Sequence, residues 1–226
     1  MQRHVTAKDE LRHLVAELDE NQRAAMPSGI RKTEPVSTAT GRPMEAPAPH
    51  FWTLHEYRRT IDAGVFGESR VELLQGEVVE MPPMNEPRIG AARYLAGLFF
   101  ARLGWQRTCS QTPIILPSDG EPEPDVAVFE LGAPLKPHID QVQLVIEVAQ
   151  STRRRDLGSK LEDYLRGGVR ELWIVDLVEQ AVLVYRDGQL VARHARGAGA
   201  LLVAELVPEV SVDLDQVFGA ARLPDV

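Results

Sequence analysis

The chain has a single cysteine, Cys109, so no disulfide framework can hold it together. No apolar run approaches the ~18 residues that a membrane span needs. Residues 1–50 lack Phe, Trp and Tyr altogether, and all the aromatics lie beyond them. Positive charge is also short: Lys and Arg total 25 against 33 Asp and Glu, a formal net charge of −8. A dedicated non-specific nucleic-acid binder is disfavoured, because phosphate neutralisation supplies most of such a protein's affinity. An enzyme that meets phosphates through a local basic patch and a metal is not excluded. No Gly-rich phosphate loop is present, since Arg196-Gly-Ala-Gly-Ala-Leu-Leu202 lacks the Lys-Ser/Thr pair and the third Gly. No Gly-x-Ser-x-Gly nucleophile elbow occurs. His50 and His55 are not followed by a His-Glu-x-x-His helix, and the other histidines are scattered, which argues against zinc. The opening MQRHVTAKDELRHL carries charges where an export signal needs an apolar core, so a cytoplasmic location is expected.

What remains is ordinary globular composition: 44% hydrophobic and 26% charged in 226 residues. That suits one domain with an appendage. Leu11, Leu14, Val15 and Leu18 recur at helical spacing after a candidate cap at Thr6, so residues 1–25 read as an amphipathic helix. Pro27, Pro35, Pro43, Pro47 and Pro49 punctuate residues 26–50, which read as a Pro-rich linker. Residues 51–226 carry the whole net charge and all the aromatic side chains, and they read as the main domain.

Within it, His55–Gly64 reads as a helix, and Val71–Met81 as a hairpin turning at Gln75-Gly76. Ile89–Leu103 repeats apolar residues every three or four places and stops at Gly104. Strand candidates follow in RTCSQTPIIL, PDVAVFE and VQLVIEV. A second helix over about 154–166 closes at Gly167-Gly168. ELWIVD, AVLVYR, QLVARH and VPEVSVD are further strands, with a short closing helix. Two long helices and a mixed sheet of this size imply an α/β or α+β fold. Cys109, in a strand-like stretch, reads as a buried inert thiol.

One constellation carries chemistry. Asp125 follows Pro124 at the mouth of a strand, where proline is tolerated. Glu147 interrupts the apolar run Leu144-Val-Ile-Glu-Val148, and a carboxylate there needs a counter-charge, a proton or a cation. With the Val148 carbonyl, the two acids offer hard oxygen ligands suited to Mg²⁺ or Mn²⁺. Leu157, Leu161, Tyr164 and Leu165 form the apolar stripe of that helix, and Lys160 lies roughly 85° from its centre, so it can reach along the sheet towards Glu147. An ammonium placed there positions water for attack on phosphorus. Arg153, Arg154 and Arg155 form a local basic patch able to hold a phosphate. Plainer readings stand beside these. Asp156 and Lys160 have the spacing of an ordinary surface pair, Asp125 could serve a turn, and the arginines could be a solvated helix start. Glu147 has few structural uses where it stands.

At these residues the chain resembles the Uma-type family of putative restriction endonucleases, within the PD-(D/E)xK nuclease superfamily. The likeness runs from about Trp52 to Arg186 through VELLQGEVVEMPP, EPEPDVAV, LVIEVAQSTRRRDLGSKLEDYLRGGVRELWIVD and LVYR. It implies an acidic pair at Asp125 and Glu147, and a lysine moved from position 149, here alanine, to Lys160 on the next helix. It adds Glu72 as an accessory acid and Gln150 as a residue orienting water or phosphate. Many relatives carry a histidine after the Pro-Pro element; this chain has Arg88 there. Glu72 has a plain alternative as the partner of Arg70 or Lys160.

The expectation is an α/β restriction-endonuclease-like core, a mixed sheet flanked by helices, with an N-terminal accessory hairpin. The expected activity is Mg²⁺- or Mn²⁺-dependent hydrolysis of nucleic-acid phosphodiesters, DNA foremost. Asp125, Glu147 and Val148 would hold the metal, with Glu72 and Lys160 beside it and Arg153, Arg154 and Gln150 on the phosphate. A homodimer would suit double-strand cleavage. The rivals are an inactive binding or assembly module on the same fold, and a hydrolase of small phosphorylated substrates.

Overall fold

Thr53 caps the first helix. Its hydroxyl accepts from the Glu56 amide while the Glu56 carboxylate accepts from the Thr53 amide, a reciprocal cap that opens α1 (Leu54–Asp62). The computed structural model describes residues 49–149, 154–197, 199 and 201–221, and only the backbone of residues 154–157. The amphipathic helix expected over 1–25 and nearly all of the linker expected over 26–50 lie outside the described residues. The described part belongs to one unit that begins at Pro49.

Strands β1 (Val71–Leu74) and β2 (Glu77–Glu80) pair antiparallel as the expected accessory hairpin. Its two-residue turn places Gln75 and Gly76 at φ 52° and 79°, the positive pair that matches strand twist. The Tyr57 hydroxyl donates to the Val71 carbonyl at 2.8 Å and ties α1 to the hairpin. Helix α2 (Glu86–Leu103) starts three residues before the expected Ile89. Asn85 caps it by accepting from the Arg88 amide, and Pro87 suits a first turn whose N–H groups have no helical partner.

The central sheet has six strands in the order β3 (Thr108–Cys109), β4 (Val126–Phe129), β5 (Val142–Ala149), β6 (Glu171–Asp176), β7 (Ala181–Arg186) and β8 (Gln189–Ala195). Only β5 and β6 run parallel, and the sheet is therefore mixed. A parallel pair needs a crossover, which α3 (Arg154–Gly167) supplies. Gly168 at φ 83° ends that helix, and the Val169 amide returns to the Tyr164 carbonyl. The stretch RTCSQTPIIL, expected as one strand, joins the central sheet only at Thr108–Cys109, and Ile115 makes an isolated parallel bridge to His138. Gln111 at φ 50°, followed by Pro113, turns the chain out of the ladder. Strands β9 (Leu201–Ala204) and β10 (Val207–Asp213) form a separate hairpin, and α4 (Leu214–Ala220) follows.

Alternation along β5 sorts its side chains onto two cores. Leu144, Ile146 and Val148 join α2, the β9–β10 hairpin and α4. Val145 and Ala149 join Tyr164 of α3 with Ile114, Leu116 and Leu172. Phe99 of α2 meets Trp173 of β6 edge-on at 6.5 Å. That contact adds about 1 kcal/mol to the area it buries. Period two then puts Glu147 on the α3 face, deep under that helix.

Candidate active site

Glu147 is 1% exposed, and Asp125, Glu72 and Lys160 are buried with it. Three parts of the fold deliver the acids. Glu72 comes from the accessory hairpin, which is seated by the Glu121 amide donating to the Leu73 carbonyl. Asp125 immediately precedes β4, and Glu147 lies on β5. Lys160 descends from α3, six residues after the helix begins. Its ammonium has three acceptors: Glu72 Oε1 at 2.8 Å, Glu147 Oε1 at 2.9 Å and the Glu123 carbonyl at 2.7 Å. Three donors thus meet three acceptors, which is the condition for burying a lysine. The Glu123 amide also donates to Glu72 Oε1 at 2.7 Å. Lys160 is buried and so is not a surface residue, the side chain of Asp156 lies outside the described residues, and Arg70 goes to Glu123 instead of Glu72.

Two groups near the acids were not anticipated in these roles. Tyr164, one turn beyond Lys160 and assigned to the apolar stripe, donates its hydroxyl to Glu147 Oε1 at 2.8 Å. Arg88 reaches across from α2 and grips Asp125: Nη2 lies 3.1 Å from both carboxylate oxygens and Nε 3.4 Å from Oδ2. The Val148 amide donates to the same Oδ2 at 2.8 Å, joining Asp125 to the residue after Glu147. The Ala149 carbonyl turns to the β6 side, where the amide of Leu177, just past the end of that strand, reaches it. Strand alternation therefore turns the Val148 carbonyl the other way, towards Asp125 and the end of β4.

The electrostatics follow from the charge balance. Three carboxylates meet two cations, Lys160 and Arg88, leaving one negative charge in a buried place. Burial pushes the Glu147 carboxyl up to about 7, with Lys160 opposing and Asp125 and Glu72 adding to the rise. For Lys160 burial pulls the other way, yet Glu147 and Glu72 outweigh it and hold the ammonium above the ordinary lysine range. Both shifts have one origin: several acids share one lysine, so the lysine stays charged and an acid is driven towards neutrality. Burial, then the Glu147 charge, raises the Tyr164 hydroxyl well above its usual value, which keeps it a donor.

The donors fit a hard divalent cation in kind, being carboxylate and carbonyl oxygens. As placed, they are engaged elsewhere. Arg88 stands on Asp125, and Lys160 stands between Glu72 and Glu147. Among the described residues no three acidic, His or Cys side chains converge as a metal-binding group. Gln150 and Arg153 lie outside the described residues. Arg154 opens α3, but its side chain also lies outside them. Cys109, expected buried, is half-buried, and burial raises its thiol to about 11. Among the described residues no helix is long and apolar enough to cross a membrane.

Comparison with known proteins bears on this arrangement. Residues 54–215 match the model of the Uma2 family, described as "Putative restriction endonuclease". In fold, the chain is similar to a solved structure, a putative nuclease belonging to DUF820 from Anabaena variabilis. The TM-score is 0.60 at 19% identity, over 75% of this chain and 99% of that one. At that identity the likeness is one of fold. No match was found among curated proteins.

Proposed function

The chain belongs to the Uma2 family of putative restriction endonucleases, and on that premise we propose that it is a metal-dependent nuclease hydrolysing phosphodiester bonds, DNA foremost. The observation that carries the reading is Lys160, held at 2.8 and 2.9 Å between Glu72 and Glu147 beside Asp125. Few structural demands explain three buried acids gathered from three elements around one buried lysine.

Asp125, Glu147 and the Val148 carbonyl are the groups that would hold Mg²⁺ or Mn²⁺. Such an ion supplies Lewis acidity that offsets the charge developing on phosphoryl oxygens. The chain's own residues do the rest. Lys160 orients the attacking water and offsets negative charge as the oxygen adds to phosphorus and the bond to the leaving sugar oxygen breaks. Glu72 keeps that ammonium aimed. Gln150, Arg153 and Arg154 supply the phosphate contacts, the arginines by a planar fork that matches two phosphate oxygens. Cleavage of both strands needs two such sites, which a homodimer provides. A cytoplasmic setting belongs to the same reading.

The test is incubation of the purified protein with supercoiled plasmid and Mn²⁺. Nicked and linear products are expected from the parent and none from Glu147→Ala, with the circular dichroism of the two matching. A Glu147→Ala protein as active as the parent overturns the reading.

One observation favours a second reading, a nuclease-fold binding or assembly module without catalysis: the Asp125 carboxylate already has Arg88 as its counter-charge. Such a module gives no Mn²⁺ binding heat that Asp125→Asn removes, and no plasmid cleavage.

A further inference from the structure

The two cations of the acid cluster are held very differently. Lys160 has a side-chain exposure of 6% and three acceptors at 2.7–2.9 Å. Arg88 has a side-chain exposure of 20%, and its contacts to Asp125 measure 3.1–3.4 Å. Well-made bonds between charged nitrogen and carboxylate run shorter, at about 2.7–2.9 Å. The lysine is locked inside, whereas the arginine stands at the rim in a looser grip. Among the described residues the guanidinium contacts of Arg88 are all with Asp125. The backbone of Arg88 is fixed separately, through its amide on the Asn85 cap, so its side chain can swing without disturbing α2.

The charge count points the same way. With Lys160 and Arg88 in place, the three carboxylates carry one negative charge more than the two cations match, the excess that helps drive Glu147 towards its neutral form. Exchanging the arginine for a divalent ion removes that excess. Keeping both would leave the buried cluster with an excess of positive charge. A divalent ion and Arg88 are therefore alternatives at Asp125.

We propose that Arg88 is a built-in competitor for the divalent ion. Its guanidinium takes the Asp125 carboxylate that the ion needs, and the ion binds only as Arg88 leaves. Arg88 thereby sets the metal affinity of the site. The proposal rests on the metal-dependent reading above and adds to it the residue that tunes ion occupancy. It also makes this chain a weak binder of Mg²⁺ and Mn²⁺ at rest, so that full occupancy calls for a further partner for the freed guanidinium. A phosphate of the bound polyanion is the partner that chemistry supplies.

The experiment is titration of the full chain with Mn²⁺ alone, read by the electron paramagnetic resonance of the free ion. Arg88→Met keeps the apolar stem and removes the charge. It is expected to bind Mn²⁺ about tenfold to a hundredfold more tightly than the parent, the worth of a charge-assisted contact. Arg88→Lys, which keeps a charge but loses the fork, is expected to fall between the two. Asp125→Asn added to Arg88→Met should abolish the gain. Thermal melting gives a second readout: Arg88→Met should melt below the parent without Mn²⁺ and gain more from saturating Mn²⁺. Should Arg88→Met fail to fold, Arg88→Lys carries the comparison. Equal or weaker Mn²⁺ binding in the Arg88 variants, with the parent's site still dependent on Asp125, overturns the proposal and leaves the nuclease reading standing. Absence of Asp125-dependent binding in every variant overturns both.

Discussion

Lys160 and Tyr164, one helical turn apart on α3, donate to the same oxygen of Glu147, at 2.9 and 2.8 Å. Spacing of four along a helix brings two side chains to one face, so one helix supplies both the charge and the neutral donor that make a buried carboxylate tolerable. The two donors are not equivalent. Removing the hydroxyl takes away one hydrogen bond, whereas removing the ammonium leaves two carboxylates buried without a cation.

Tyr164→Phe is therefore expected to cost about 1 kcal/mol of unfolding free energy. Lys160→Met should cost about 3–5 kcal/mol. Urea denaturation at pH 8 measures both. The lysine penalty should shrink on going to pH 5. Glu147 has its carboxyl raised to about 7 in the fold, against an ordinary value of 4.5. A raised acid binds its proton more tightly folded than unfolded, so its contribution to stability is greatest below 4.5 and is lost as pH rises through 7. Losing Lys160 raises the folded value further and steepens that loss. An equal penalty at both pH values would contradict the arrangement.

Gly90 and Gly97 lie on the same helix, α2, in opposite circumstances. A methyl group at Gly90 would run into the carbonyl oxygen of Ala220 at the end of α4, while one at Gly97 meets nothing within 4 Å. Gly90→Ala must push backbone from backbone and should cost about 1–3 kcal/mol or more. Gly97→Ala relieves the entropy cost of glycine in a helix and should stabilise by about 0.5–1 kcal/mol. Thermal melts of the two variants should move in opposite directions.

These relationships divide by what a sequence can display. Glu147 was legible because a charged residue inside Leu-Val-Ile-x-Val contradicts its surroundings, and such a contradiction demands a partner. The reach of Lys160 followed from its angle on the helix. The sheet, the hairpin and the helices α2 and α3 were legible from periodicity and from glycine and proline stops. Pairings between distant elements were not. Arg88 and Asp125 are 37 positions apart and come from a helix and a strand mouth, and nothing local to either marks the other. Tyr164 was read as apolar because helical periodicity reports burial of the ring and is silent about the hydroxyl at its tip. Strand β9 went unnoticed since four residues give too short an alternation beside the Gly197–Gly199 run.

Glu171 makes a second test of buried charge, away from the candidate active site. It is 1% exposed on β6. Its Oε1 accepts from the Trp173 indole at 2.8 Å and, more weakly, from Arg186 at 3.4 Å. Its Oε2 accepts from the Glu205 amide at 2.7 Å, between β9 and β10. The carboxylate thus ties the separate hairpin to the main sheet. Glu171→Ala should cost about 3 kcal/mol through the unpaired indole and amide. Hydrogen exchange should show the Glu205 amide losing protection before the β5–β6 amides do. Unchanged protection at Glu205 would mean that the hairpin is held without this carboxylate.

Cys109 offers a clean chemical probe, because it is the chain's sole thiol. It is half-buried on the edge strand β3, and burial raises its pKa to about 11 from an ordinary 9. Bonds with Thr112 and the Ala127 backbone oppose that rise without cancelling it. The thiolate is the form that reacts. At pH 8 its population is therefore about a hundredfold below that of an unperturbed cysteine. Alkylation by iodoacetamide should be slower than for a free thiol by at least that factor, since partial burial also limits access. The sign of the shift fixes the profile as well. The rate should climb about tenfold per pH unit through pH 8, 9 and 10, where an ordinary thiol would already level off. Unfolding in urea should restore ordinary reactivity. A plateau near pH 9 in the folded protein would show that the β3 edge opens to solvent, and would detach the short Thr108–Cys109 ladder from the sheet that carries Asp125.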